Sequence, residues 1–180
     1  WSVKLKNSKT IHPDITNYLI PGCGFGGSCF PKDVEALTKL GKKVGVQPRI
    51  LKAVLDVNEE QPNQILKILK QKLPNIKNRK ILVLGLSFKP GTDDIRDSVS
   101  IKVIKSLLNE EVFIYAHDPK AIKNAKKVLG NNSNVQFIEN WEKDIQHIDI
   151  VLILTNWAQY KPLKNHSKAL EEKIIFDARR

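Results

Sequence analysis

The sequence predicts an α/β protein, with a helical central segment followed by a Rossmann-like, mostly parallel sheet domain. Between residues 31 and 73 apolar groups recur at three-to-four-residue spacing, the period of helices that bury one stripe. From Lys80 onward short apolar runs alternate with helix-like stretches. Strands joined in that way need crossover connections, so the sheet is mostly parallel and helices cover both its faces. A length of 180 residues with 41% hydrophobic content can supply such a core.

Residues 1–20 carry little signal. Pro21 to Pro31 form a glycine-rich loop that needs backbone freedom. Pro31 suits a first helical turn, and Val34, Leu37, Thr38 and Leu40 line one side of that helix before Gly41 ends it. A second helix is predicted from near Pro48, carrying Ile50, Leu51, Val54, Leu55 and Val57, then Ile65, Leu66, Ile68, Leu69 and Leu73. Pro62 is expected to kink or restart it. Two apolar faces on one long helical stretch exceed the need of an isolated helix, which predicts burial against another domain or a second copy of the chain.

Strands are predicted at 81–85, 112–115, 135–138, 148–154 and 173–176, and helices at 98–109, 119–129 and 163–171. The chain is thereby divided into 1–76 and 78–180. Ligands on parallel sheets collect at the carboxyl ends of the strands. Gly85–Asp97, Asp118, Thr155–Trp157 and Asp177–Arg180 are therefore expected on one rim.

The formal charge of +11 is one mark of a nucleic-acid binder. Its distribution is not, because lysines are spread from Lys39 to Lys127 among Asp and Glu, with no arginine-rich tract. A solvated lysine-rich surface with some attraction for anionic diphosphates is expected instead, and no nucleic acid partner. No apolar run reaches the eighteen or so residues of a membrane span. Trp1-Ser2-Val3-Lys4 looks like neither a start context nor a signal peptide, so the chain is expected to begin mid-protein. Two cysteines make no disulfide scaffold, and a chain without a targeting segment suits the reducing cytoplasm. Neither cysteine is expected to ligate a metal: only Gly, Phe and Ser separate them, and the histidines at 12, 117, 147 and 166 are remote.

The densest chemical signal is Gly22-Cys23-Gly24-Phe25-Gly26-Gly27-Ser28-Cys29-Phe30-Pro31-Lys32-Asp33. As a dinucleotide fingerprint it is weak, since no apolar strand precedes it and no βαβ unit with a ribose-binding acid follows. The other reading is a loop that closes on a ligand and delivers Cys29 to the start of a helix. There the helix dipole and Lys32 both favour a thiolate, a good nucleophile. Read from the residues alone, that role stands level with Cys29 being a small buried hydrophobe. Cys23 lacks the following lysine and helix and is expected to be such a hydrophobe. Asp33, four residues past Cys29, shares its helix side, although an acid in a first turn more often only balances the dipole.

A second block, Gly85-Leu86-Ser87-Phe88-Lys89-Pro90-Gly91-Thr92-Asp93-Asp94-Ile95-Arg96-Asp97-Ser98, follows the first predicted strand. It lacks Gly-x-Gly-x-x-Gly, so this domain is not expected to bind NAD in the usual way. Its polar residues also read as a long turn ending in a helix cap at Asp97 or Ser98.

Together these blocks resemble the UDP-glucose/GDP-mannose dehydrogenase family. The twelve-residue stretch is similar to the family's catalytic-cysteine motif, and Ser28 and Phe30 resemble its UDP-glucose branch. Asp118-Pro119, Thr155-Asn156-Trp157 and Asp177-Ala178-Arg179 resemble family patterns in the same order, the last with Ala where the family has Gly. The resemblance implies oxidation of a sugar C6 alcohol to a carboxylate with two NAD, through a thiohemiacetal and a thioester on Cys29. By the same resemblance Asp33 helps position or activate water. It further implies that Tyr18, Gly26, Gly27, Phe88, Lys89 and Arg179 contact the UDP-sugar, and that Lys32 and Arg96 lie near the NAD diphosphate. A homodimer through the central helices is implied too. The family's amino-terminal NAD fold is absent from these residues, so the chain alone is expected to lack turnover. The alternatives are a GDP-mannose or UDP-N-acetylmannosamine dehydrogenase of the same family, or a non-catalytic nucleotide-sugar-binding module.

Overall fold

A computed structural model of the chain describes residues 3–4, 10–11, 22–166 and 170–179. Val3–Lys4 (β1) and Thr10–Ile11 (β2) pair antiparallel. Two helices follow, Phe30–Lys43 (α1) and Arg49–Lys72 (α2). The remainder alternates: Lys80–Leu84 (β3), Val99–Leu108 (α3), Phe113–His117 (β4), Ile122–Leu129 (α4), Val135–Phe137 (β5), Trp141–Asp144 (α5), Ile150–Ile153 (β6) and Ile174–Asp177 (β7). Stretches of 3-10 helix at Ile145–His147 and Ala158–His166 flank β6.

The five strands from β3 onward are all parallel, in the order β5-β4-β3-β6-β7. The chain therefore builds outward from β3 through β4 and β5, then returns to lay β6 on the other edge of β3. Where the two directions part, a crevice opens at the carboxyl ends of β3 and β6. Alternate residues of β3 enter opposite cores, as the pleat requires. Ile81 and Val83 pack with Ile65 and Leu69 of α2 and Ile104 of α3, whereas Leu82 and Leu84 pack with Trp141, Ile145 and Tyr160. The second half of α2 is thus part of the sheet's own core.

Several elements depart from the sequence expectations. Helix α1 runs past Gly41 to Lys43, its amino end at Cys29 as anticipated. Helix α2 passes through the buried Pro62 as one helix; the missing N–H removes only the bond to the Asn58 carbonyl, four residues earlier. Helix α4 begins at Ile122 and not near 119, because Asp118 Oδ1 first accepts the amides of Lys120 and Ala121, each at 2.8 Å. The short α5 was not foreseen; it is capped by Asn140, whose Oδ1 accepts from the Glu142 amide at 3.1 Å. In place of the helix expected at 163–171 stands 3-10 helix over Ala158–His166, and residues 167–169 lie outside the described set. The apolar side of α1 and of the first half of α2 is left bare, as the surplus of apolar faces led one to expect: Leu37 and Leu40 are each 54% exposed and Ile50 80%.

Truncating Leu152, fully buried in β6, to alanine should cost about 2–5 kcal/mol of stability. Truncating Ile175, 44% exposed in β7, should cost less than about 1 kcal/mol. Urea denaturation midpoints compare the two.

Candidate functional site

Cys29 is an exposed free thiol at the amino end of α1. Its Sγ lies 3.7 Å from Ser28 Oγ. The next turn carries the predicted companions: Lys32 Nζ is 3.0 Å from Asp33 Oδ1, both side chains well exposed. The hydrogen bond to the Asp33 carboxylate, then its charge, holds the Lys32 ammonium above the usual lysine range, and the Cys29 sulfur adds in the same direction. Lys32 is thus near the thiol but engaged with Asp33. Arg96 also senses Cys29, although a fork of bonds to Asp94 dominates it. Its Nη2 donates to Asp94 Oδ2 at 2.7 Å and its Nε to Oδ1 at 3.0 Å. The Asp94 carboxyl is held below the ordinary range mainly by that same pairing.

The glycines before the thiol make the contact that joins the two halves of the site. A β-carbon on Gly26 would stand 2.3 Å from the Asp97 carbonyl oxygen, and one on Gly27 2.7 Å from Phe88 Cε2. Gly27 also has φ +86°, and its amide donates to the Arg96 carbonyl at 2.8 Å. Only glycine permits that approach. Phe88 therefore seats on the loop that ends in Cys29, with Lys89 Nζ 5.3 Å from the centre of its ring. Arg179 comes to the same place from the end of β7. Its Nη1 donates to Cys23 Sγ at 3.7 Å, and it lines one small cavity with Gly26 and Phe88. Of the residues singled out by sequence, Gly26, Gly27, Phe88 and Arg179 converge directly, and Cys29, Asp33, Lys32, Lys89 and Arg96 follow from the same two loops. Tyr18 lies outside the described residues.

Beneath this rim is a polar knot at the crevice between β3 and β6. The Asp118 carboxylate, 2% exposed, takes the amides of Leu86 and Ser87 on Oδ2 at 2.7 and 3.0 Å. Ser87 Oγ and Trp157 Nε1 donate to that oxygen too, while Oδ1 serves Lys120 and Ala121. Thr155 Oγ1 donates to the Ser87 carbonyl at 2.6 Å. Ser98 is the N-cap of α3, but its hydroxyl donates to the Leu86 carbonyl at 2.7 Å and caps nothing. These five side chains tie β3, β4, β6 and α3 into one rim.

Sequence reasoning missed three features. Asn58 of α2 bonds both main-chain groups of Phe25. Cys23 is buried as expected, yet it also accepts the Arg179 bond. His117 and Tyr160 form a buried pair at 3.0 Å, where burial pushes the imidazole below its ordinary value and the phenol upward. Asn58 alone left a trace, as a poor helix former in the middle of a helix.

A cleft of about 590 Å³ at the end of β4 is lined by Lys120, Lys123 and Lys126, and by none of the cysteine-loop residues. Among the described residues, no group of three or more His, Cys, Asp or Glu could hold a metal ion. No helix among them is long and apolar enough to cross a membrane.

A five-stranded parallel sheet with a switch point between β3 and β6 defines a Rossmann-like domain, here joined to a cysteine-bearing loop and helices. The UDP binding domain of the UDP-glucose/GDP-mannose dehydrogenase family matches residues 82–180, and that family's central domain matches residues 5–60. The chain belongs to this family. It is 41% identical over 148 residues to UDP-glucose 6-dehydrogenase of Rickettsia felis, covering 82% of this chain and 33% of the relative. With UDP-glucose 6-dehydrogenase AglM of Haloferax volcanii it shares 35% identity over 163 residues, 91% of this chain and 37% of the relative. A UDP-glucose dehydrogenase structure from Pyrobaculum islandicum superposes with a TM-score of 0.82 at 39% identity, over 91% of this chain and 36% of that one. A ternary complex of GDP-mannose dehydrogenase from Pseudomonas aeruginosa gives 0.75 at 26% identity, over 89% and 37%. The chain thus spans about a third of the length of these relatives.

Replacing Asp118 by asparagine turns an acceptor into a donor that faces other donors. The change should cost roughly 3 kcal/mol or more, read as a lowered urea midpoint, and should increase the fluorescence response of Trp157 to a quencher.

Proposed function

We propose that this chain is the carboxy-terminal part of an NAD-dependent UDP-glucose 6-dehydrogenase, with Cys29 as nucleophile, residues 1–76 as catalytic loop and central helices, and 78–180 as the UDP-sugar-binding domain. One observation carries the reading: an exposed thiol at a helix amino end is tied through Gly26 and Gly27 to Phe88, beside Arg179. A nucleophile and two candidate sugar-nucleotide contacts then share one loop junction.

In this reading Phe88, Lys89 and Arg179 hold the UDP-sugar, the guanidinium matching diphosphate or sugar oxygens with its rigid fork. Gly26 and Gly27 let the backbone close on it. Cys29 Sγ adds to the C6 aldehyde carbon and forms a thiohemiacetal. Two-electron oxidation of that carbon leaves a thioester. Water, oriented by Asp33, attacks the thioester carbonyl; the C–S bond breaks, the carboxylate departs and the thiol is restored.

The sheet domain does not itself fit NAD. In dinucleotide folds the pyrophosphate meets the amino end of the helix after the first strand. Here Gly24 and Gly26 cover that end of α3, leaving only about 10 Å³ beside Ser98, Val99 and Ser100. Lys32 and Arg96 do fit, as exposed cations near Cys29, to a diphosphate held by another domain. NAD, when bound, supplies the hydride acceptor for both oxidations. A reducing cytoplasm suits an exposed free thiol.

In the full-length protein Cys29→Ala should lower NADH production on the order of a thousandfold or more, with UDP-glucose binding by calorimetry retained. Unchanged turnover in that variant would remove Cys29 from the chemistry. The 180-residue chain alone should show no turnover. Titration of the full-length protein with UDP-glucose, GDP-mannose and UDP-N-acetylmannosamine decides the sugar.

The bare side of α2, with Ile50, Val54 and Val57 at 80%, 39% and 57% exposure, favours a homodimer through the central helices. Val57→Glu should then shift the full-length protein toward monomer in sedimentation.

A further inference from the structure

We propose that Asn58 is a positioning residue for the cysteine loop: it sets where Cys29 stands without touching substrate. The inference rests on Cys29 being the nucleophile. Asn58 lies mid-helix in α2, 33 residues from the loop it holds. Its Oδ1 accepts from the Phe25 amide at 2.8 Å and its Nδ2 donates to the Phe25 carbonyl at 3.0 Å. A primary amide is the short neutral side chain that offers both functions in one plane, so Asn58 pairs with Phe25 as a neighbouring strand would. The approach is close: Gly24 has φ +112°, and a β-carbon there would stand 2.7 Å from Asn58 Oδ1.

The helix around Asn58 is poorly suited to being only a helix. Asparagine costs about 0.5–0.7 kcal/mol relative to alanine in a helix interior. Pro62, four residues on, has no N–H for the Asn58 carbonyl, and it is buried. Both departures fall on the turn that faces the loop. Gln61, on the same side, packs its Cβ 3.4 Å from the β-carbon position of Gly24.

The loop has a second tie in the Gly27 amide bonded to the Arg96 carbonyl. Between the two ties lies only Gly26, and Cys29 follows two residues after the second. Glycine-rich backbone has little side-chain packing to hold it, so its path is set by these bonds. Phe88, Lys89 and Arg179 belong to other segments and make no hydrogen bond with the Asn58 side chain, which among the described residues bonds only Phe25. Loss of the amide should therefore disturb the reacting sulfur more than the hold on the sugar nucleotide.

The test compares Asn58→Ala and Asn58→Asp with wild type in the full-length protein. Turnover of UDP-glucose, thermal midpoint and hydrogen exchange of the Phe25 amide are measured in each. In Asn58→Ala, kcat should fall about tenfold to a hundredfold, as for a misplaced reacting group. KM should change less than about threefold, because uniform binding is kept. Exchange at Phe25 should quicken while the amides of Ile65 and Leu69 keep their protection. Asn58→Asp, which keeps the acceptor for the Phe25 amide and loses the donor, should fall between the two. An active wild type with unchanged kcat in Asn58→Ala overturns the proposal, as does a kcat loss matched by an equal rise in KM and a collapsed midpoint. If wild type itself shows no turnover, the dehydrogenase reading has failed separately. Phe25 exchange then still decides the clamp, and an unchanged rate overturns it.

Discussion

Gly26 and Gly27 lie so near the Asp97 carbonyl and the Phe88 ring that no side chain fits between the two loops. That contact binds a helical segment to a sheet domain whose sequences share no local signal for each other. The loop that ends in Cys29 has no strand of its own and little apolar surface, and it takes its shape from what it leans on. The sheet domain supplies the support through residues 86–98, which are themselves held by the buried Asp118. A carboxylate out of water is tolerable only when its lone pairs are fully used. Asp118 meets that condition with main-chain, hydroxyl and indole donors from three segments. The order of dependence therefore runs from Asp118 to the Phe88 loop, and from that loop to the cysteine.

The same dependence explains why a Rossmann-like sheet here lacks the fingerprint of a dinucleotide site. The loop after β3 has no Gly-x-Gly-x-x-Gly to wrap a phosphate. It gives its amides to Asp118 instead, and the Ser98 hydroxyl turns back to the end of the strand. The amino end of α3, an anion site in related topologies, is roofed by Gly24 and Gly26. One polypeptide thus fills the place that another fold leaves for a cofactor, and Phe88 and Arg179 border what little space is left.

Much of this was legible in the sequence, for physical reasons that can be named. The buried strands of a parallel sheet read as unbroken apolar runs, so β3 and β6 stand out. The rim residues followed from the strands, since ligand loops sit at their carboxyl ends. Cys29 at the start of α1 followed from Pro31 and the apolar spacing behind it. What was not legible depends on contacts across long separations. Asn58 meets Phe25 only because α2 folds back over the loop. Cys23 reads as a plain hydrophobe until Arg179, 156 residues away, is brought against its sulfur. The end of α1 was misplaced because a glycine inside a helix costs only about 1 kcal/mol, and α1 runs through Gly41 to Lys43.

The cysteine loop is held from both sides by groups that a ligand would also feel. On one side its backbone is bonded to the Arg96 carbonyl, and the Arg96 side chain is locked to Asp94. On the other, Cys23 lies under the Arg179 guanidinium and also approaches the Leu154 carbonyl at 3.8 Å. An anion that draws either guanidinium from its present partner changes the forces on the ribbon at Gly27 or at Cys23, a few residues from the thiol in each case. Asn58 stands apart from both. It belongs to a helix whose second half is cemented into the sheet core by Ile65 and Leu69, and its bonds to Phe25 involve neither guanidinium. The loop thus has one tie to the helix core and two beside guanidinium groups. That arrangement accounts for an asparagine inside a helix where an alanine would make a better one.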